Sequence, residues 1–224
     1  MATVAAMDHC PVCQAEVVTR PRIVPHGDCP GGFALPDLAL TDLESRYTEA
    51  RSDCPNPERW HSSDGDSAEH EVTALVAAFV TALRPNVVVE TGSAYGQTAE
   101  GIGRALADAG VGTLYTVEVD PERAAATRAR CEGLPVKVEE CSSLDWTPPD
   151  DIGFAWFDSL LDLRVPEFER YYPHFAPGAI VGFHDTGPHF GPFLWNRIER
   201  LESDGKLLSM RLRTPRGVAF GEVV

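Results

Sequence analysis

The residues best placed to do chemistry lie in the segment Val87-Val88-Val89-Glu90-Thr91-Gly92-Ser93-Ala94-Tyr95-Gly96-Gln97. A β-branched run of this kind belongs to a strand buried on both faces. The glycines after it mark a sharp turn into a helix. Gly92 allows the turn, and Gly96 is expected to let the backbone approach a ligand at the helix N-terminus. Further on, Glu118 closes a second strand, where a carboxylate can accept two hydroxyls of a ribose. Glu90 and Glu118 then flank one crevice at the carboxyl ends of neighbouring strands. A turn that only packs the helix, with Glu118 solvated, is the plain structural alternative.

A second group is Asp158, at the end of Phe154-Ala155-Trp156-Phe157, with His184-Asp185 after Ile180-Val181-Gly182-Phe183. Each follows a strand, so the three side chains are expected to converge at the same edge of the sheet. The competing structural role is an His-Asp pair that caps the loop Thr186 to Gly191. A third group is Cys10-x2-Cys13-x12-His26-x2-Cys29. Two chelating pairs a dozen residues apart suit a tetrahedral zinc knuckle, with Cys54 as a substitute ligand. Free thiols in a loose arm are the alternative.

On its E-x-G-x-x-x-G turn, Glu90 to Gly96, the chain resembles the class I S-adenosylmethionine-dependent methyltransferases, in particular small-molecule O-methyltransferases of the catechol and macrocin types. The resemblance covers Trp60 to Val224. The turn is not the dinucleotide form G-x-G-x-x-G. The resemblance implies that Glu90, Thr91, Gly92, Ser93, Tyr95 and Gly96 hold the methionine part of S-adenosyl-L-methionine. Glu118 and Val119 would hold the ribose, and Ser142-Ser143 would sit by the adenine, with Asp158 also near the cofactor. It further implies a divalent metal, magnesium or similar, on Asp158, His184 and Asp185. Two residues depart from the pattern. His184 stands where a hard cation prefers oxygen, and Leu161 stands where the catechol enzymes carry a lysine base. His184 is therefore either a ligand to a softer ion or the general base. His189, on the loop expected to roof the substrate, and Trp60, His61 and Asp64, before the first amphipathic helix, are candidate substrate residues.

The elements that must position these groups follow from periodicity. Val72, Leu75, Val76, Phe79, Val80 and Leu83 share one helical face, with Asp66 or Ser67 as the expected cap and Pro85 as the stop. Strands are expected at 87–90, 114–119, 136–139, 152–157 and 179–183. Helices are expected at 97–109, from Asp120-Pro121, at 166–175 and at 193–201. Leu207 to Leu212, the turn Pro215-Arg216-Gly217 and Val218 to Val223 form a closing hairpin, which must be antiparallel. Alternating strands and helices imply a doubly wound, mostly parallel α/β sheet of seven strands, Rossmann-like, that ends in this hairpin. Residues 1–59 read as a Cys- and Pro-rich arm, with a short helix around Leu38 to Arg51, and 60–224 as the methyltransferase domain.

Composition narrows the function. Of 224 residues, 34 are acidic and 19 basic, a net charge of -15 that disfavours a nucleic-acid backbone as partner. No run of about 18 apolar residues suggests a membrane span, and no signal segment is evident, so a cytoplasmic address is expected. The fourth strand lacks the N/D-P-P-Y/F tetrapeptide of amino-methylating enzymes. A small-molecule acceptor is expected, in the manner of natural-product modification, with a homodimer as the candidate assembly. The rival is a cofactor-binding regulatory module without catalysis, favoured only by Leu161. If the arm binds zinc, purified protein should carry close to one zinc per chain. Cys13→Ser should release it and leave donor binding intact, as metal analysis and calorimetry would show.

Overall fold

The structure, a computed structural model, describes residues 54–63, 65–188 and 192–224, together with the backbone of Arg46–Tyr47. The zinc candidates Cys10, Cys13, His26 and Cys29, and also Asp64 and His189, lie outside the described residues. In chain order the elements are β1 (Arg46–Tyr47), β2 (His61–Ser62), α1 (His70–Leu83), β3 (Val87–Thr91), α2 (Gln97–Ala109) and β4 (Thr113–Glu118). They continue as α3 (Pro121–Arg130), β5 (Val136–Glu140), β6 (Ile152–Phe157), α4 (Arg164–Tyr171), β7 (Phe175–His184), α5 (Pro192–Ser203), β8 (Leu207–Leu212) and β9 (Val218–Val223).

Strands β3 to β9 form one sheet in the order β5-β4-β3-β6-β7-β9-β8. The five strands from β5 to β7 are mutually parallel, and β9 runs antiparallel to both β7 and β8. The chain winds outward from β3 in one direction, then restarts at β6 in the other. The switch point therefore falls between β3 and β6, where an open α/β sheet leaves a crevice for a ligand. The seven-stranded sheet and its antiparallel end match the sequence reading.

Side-chain alternation divides the core into two layers. Val88 faces Val72, Val76 and Val80 of α1 and Ile102 and Leu106 of α2. Val89, its neighbour, faces Val165 and Phe168 of α4 and Ile198 of α5. Burying each such side chain stabilises the fold by about 1.5–3 kcal/mol, so the two layers hold the sheet rigid beneath the site. Among the described residues no helix is long and apolar enough to cross a membrane.

Two local expectations fail. The short helix placed around Leu38 to Arg51 is absent at Arg46–Tyr47, which instead pairs antiparallel with His61–Ser62. A two-residue ribbon leaves almost no periodic signal. Neither Asp66 nor Ser67 caps α1, because the N-cap residue is Glu69, with no side-chain capping bond. Its carboxylate is used elsewhere. By contrast Asp120 caps α3 as expected, its Oδ1 accepting from the backbone N–H of Glu122 at 2.9 Å and of Arg123 at 3.0 Å.

Asp120→Ala should therefore lower stability by about 1 kcal/mol, the usual worth of an N-cap. For a domain of this length that is roughly 2–4 °C in Tm, and a calorimetric scan would measure it.

Candidate functional site

The carboxyl ends of β3 and β4 bring Glu90 and Glu118 to one place. Glu118 is almost fully buried. Its Oε2 accepts from the Ala94 N–H at 2.9 Å and its Oε1 from the Asp120 N–H at 3.0 Å. A carboxylate has about four lone-pair sites, so two remain for the hydroxyls of a diol. Ala94 adopts a left-handed conformation, φ 46°, a costly state for alanine. It is held by the Glu118 contact and by Thr127 Oγ1, which donates to its carbonyl at 3.1 Å.

Gly92 and Gly96 also have positive φ, but what crowds them is protein. A Cβ on Gly92 would lie 2.7 Å from the Asp158 carbonyl oxygen and 2.8 Å from the Ser159 nitrogen. A Cβ on Gly96 would lie 3.0 Å from Cα of Thr127 in α3. On the side where a Cβ would point, Gly96 lets α3 approach closely. Ser93 Oγ shares a hydrogen with Thr127 at 2.9 Å, while Tyr95 and Val119 project outward, 42% and 69% exposed.

Glu90 is enclosed by the sheet, and Thr116 donates to its Oε2 at 2.5 Å. Burial pushes its carboxyl up to about 8, helped by the charges of Asp158 and Glu118 and opposed by the Thr116 bond. Thr91, the next residue, points to the opposite face of the sheet. Its hydroxyl donates to the buried Glu167 at 2.8 Å, as do those of Ser159 at 2.7 Å and Ser143. Thr91 and Ser143 thereby brace α4 against the strand ends. Ser142 Oγ accepts from the Leu144 N–H at 3.3 Å.

The strand ends of β6 and β7 bring Asp158, His184 and Asp185 together as expected, with their ligand atoms all within 4.8 Å. Three residues that sequence reasoning passed over, Glu69, Arg164 and Arg216, complete the group. His184 is fully enclosed. Its Nε2 donates to Glu69 Oε2 at 2.8 Å and its Nδ1 to Asp158 Oδ1 at 3.1 Å. Arg164 donates through Nη2 to Asp158 Oδ1 at 3.1 Å and Asp185 Oδ2 at 2.9 Å, through Nε to the Ser159 carbonyl, and through Nη1 to the His184 carbonyl. Arg216, in the β8–β9 turn, grips Asp185 with Nε at 2.7 Å and Nη2 at 3.2 Å. Its Nη1 donates to the Ser67 carbonyl at 2.9 Å, and its backbone N–H to Glu69 Oε1 at 3.1 Å. The turn is held against the loop after β7 by the Thr186 and Gly187 N–H groups.

Burial alone would lower the His184 pKa. The charges of Asp158 and Asp185, with the bonds to Asp158 and Glu69, overcome it and carry the imidazole up to about 10. Burial raises the Glu69 and Asp185 carboxyls, but His184 and the arginines beside them hold both below the usual range. Both ring nitrogens of His184 thus face carboxylates in this arrangement, Nε2 that of Glu69 and Nδ1 that of Asp158. A divalent ion on Asp158, His184 and Asp185 does not fit these side chains, since their inward donor positions already meet Arg164, Arg216 and Glu69. The signal for Arg164 was its place. A cation at the first position of a helix opposes the macrodipole, so it must be wanted by something nearby.

Of the substrate candidates, Trp60 packs against the α1–α2 core layer. His61 is half-exposed, with Nδ1 2.8 Å from Glu71 Oε1. Ser63, close by, bonds Gln97 at the start of α2 at 2.9 Å. Leu161 packs into the α4–α5 layer.

Comparison with known proteins agrees with this geometry. Residues 89–186 match a family model described as a methyltransferase domain. The fold is similar to an S-adenosylhomocysteine-bound O-methyltransferase from Bacillus cereus, at 14% identity and TM-score 0.62, covering 72% of this chain and 84% of that one. It is similar to an S-adenosylhomocysteine-bound methyltransferase from Podospora anserina, at 15% identity and TM-score 0.63, over 71% and 80% of the two chains. It is likewise similar to an O-methyltransferase of tomaymycin synthesis from Streptomyces achromogenes, solved with S-adenosylmethionine, at 16% identity and TM-score 0.62, over 71% and 82%. No curated protein matches the sequence. The described sheet and helices thus share the class I methyltransferase fold of these structures, and residues 89–186 match the methyltransferase domain model within it.

The pKa directions fix how stability should vary with pH. Contributions from Glu69 and Asp185 are present above their unfolded values and lost as pH falls through lower ones. Those of His184 and Glu90 are full below their unfolded values and lost as pH rises through about 10 and about 8. Thermal stability should therefore peak in mildly acidic solution and fall on both sides. Glu90→Gln should flatten the fall between about pH 4.5 and about 8, and Glu69→Ala, which removes one of the two carboxylates bonded to the buried His184, should cost about 3–5 kcal/mol.

Proposed function

We propose that the protein transfers the methyl group of S-adenosylmethionine to a hydroxyl oxygen of a small molecule. The observation that carries this reading is the turn Gly92 to Gly96 folded around Glu118 at the switch point of the sheet. The likeness of the whole fold to solved O-methyltransferases supports oxygen as the acceptor atom. S-adenosylmethionine, when bound, supplies an electrophilic methyl on a sulfonium. The chain's residues then bind, align and exclude water. Glu118 accepts the ribose hydroxyls while its other lone pairs stay on Ala94 and Asp120. Glu90, neutral when the protein is alone, is returned to its carboxylate by a nearby cation and so gives up its proton on donor binding.

The acceptor is positioned by Asp158. Its Oδ1 is taken by His184 and Arg164, which leaves Oδ2 to accept a hydrogen bond from the attacking hydroxyl and then its proton, as the O–CH3 bond forms and the S–CH3 bond breaks to release S-adenosylhomocysteine. No step runs through a metal or through His184. We further propose a cytoplasmic protein whose acceptor is a natural-product-like hydroxylated compound.

Glu118→Ala should weaken donor binding by about 1.5–3 kcal/mol, the worth of hydrogen bonds to a charged group. Calorimetry showing unchanged affinity would remove Glu118 from the site. In the wild type, the binding enthalpy near neutral pH should depend on the ionisation heat of the buffer, because Glu90 releases a proton. Glu90→Gln should abolish that dependence. Incubation of hydroxylated compounds with labelled donor tests turnover itself. Firm S-adenosylhomocysteine binding with no labelled product from any acceptor would favour a regulatory module.

A further inference from the structure

The polar group at the ends of β6 and β7 contains three acids, Glu69, Asp158 and Asp185, and three bases, His184, Arg164 and Arg216. Its acids and bases are equal in number without any ion. The Arg164 side chain is 3% exposed, and each of its three guanidinium nitrogens has a partner. One nitrogen, Nη2, bridges Asp158 Oδ1 and Asp185 Oδ2, the two carboxylates from adjacent strands that would otherwise repel across the gap.

We propose that the Arg164 guanidinium is a built-in cation that stands where a divalent ion would bridge Asp158 and Asp185, so that this site excludes metal. A planar fork suits the task better than an ammonium. It spans both carboxylates with one nitrogen and anchors itself on the Ser159 and His184 carbonyls with the other two. Arg216 closes the outer side by taking both oxygens of Asp185. An entering dication would meet donors already turned toward hydrogen. To bind, it would have to expel a buried guanidinium from carboxylate and carbonyl partners alike. Arg164 is thus a positioning residue: it fixes Asp158 by Oδ1. This goes beyond the methyl-transfer reading, and its test does not depend on turnover.

The test is uptake of Mn2+ as the probe, followed by loss of the free-ion paramagnetic signal, on folded protein whose near-ultraviolet circular dichroism is native. Wild type and Arg164→Lys should take up none at this site. Arg164→Met should gain Mn2+ affinity by at least about tenfold, through oxygen donors set free, and the gain should vanish in the double variant Arg164→Met/Asp185→Asn. A merely structural arginine would lower Tm without creating an ion site. Should Arg164→Met not fold, Arg164→Gln carries the same readout while keeping hydrogen bonds to the carbonyls. Mn2+ uptake by wild type that is lost in Asp158→Asn would overturn the proposal. So would a folded Arg164→Met or Arg164→Gln that takes up no ion.

Discussion

Charge balance in a closed space governs this molecule. Three carboxylates, two after parallel strands and one from the cap of α1, cannot stand together unless positive groups reach them, because desolvation and mutual repulsion would drive them to bind protons. The chain meets that constraint from within. Arg164 arrives from the first turn of α4, Arg216 from the β8–β9 turn, and His184 from the strand itself. Each is placed by backbone contacts as well as by charge. The loops that carry them are consequently drawn onto the carboxyl edge of the sheet, beside the crevice where β3 and β6 part.

The two halves of the site are built on opposite physical terms. Around Glu118 the carboxylate is held by amide groups alone. Around Asp158 and Asp185 the carboxylates are nearly saturated by cations and keep one oxygen open. Glu90 lies between, with a hydroxyl as partner and no cation, and burial pushes its carboxyl upward. The partners of the carboxyl groups thus change along neighbouring strand ends, from amides through a hydroxyl to cations.

Much of this was legible in the sequence because it rests on local rules. The β-branched run before Gly92, the Asp-Pro start of α3 and the Pro-Arg-Gly turn before β9 each fix an element from a few adjacent residues. The convergence of Asp158 with His184 and Asp185 also followed, since strand ends in a parallel sheet share an edge. The partners did not follow. Glu69, Arg164 and Arg216 lie far apart in the chain, and each sits where a bland role was available: a helix cap, a helix start, a hairpin turn. The close packing of Gly96 on Thr127 did not follow either, because that neighbour lies on a different helix. Arg46–Tyr47 was read as helix because a two-residue ribbon is specified by its partner strand rather than by its own pattern.

The bond from the Arg216 backbone to Glu69 joins positions 147 residues apart. Such closure is set by loop entropy before any contact repays it, and non-local pairing slows folding. During synthesis the α1, β3 and α2 segments emerge early and can collapse on one another, yet Asp185 lacks the Arg216 guanidinium until the hairpin beyond α5 has docked. The polar edge is therefore completed late, with one of its three cations arriving last. The hairpin acts as the latch that closes this edge.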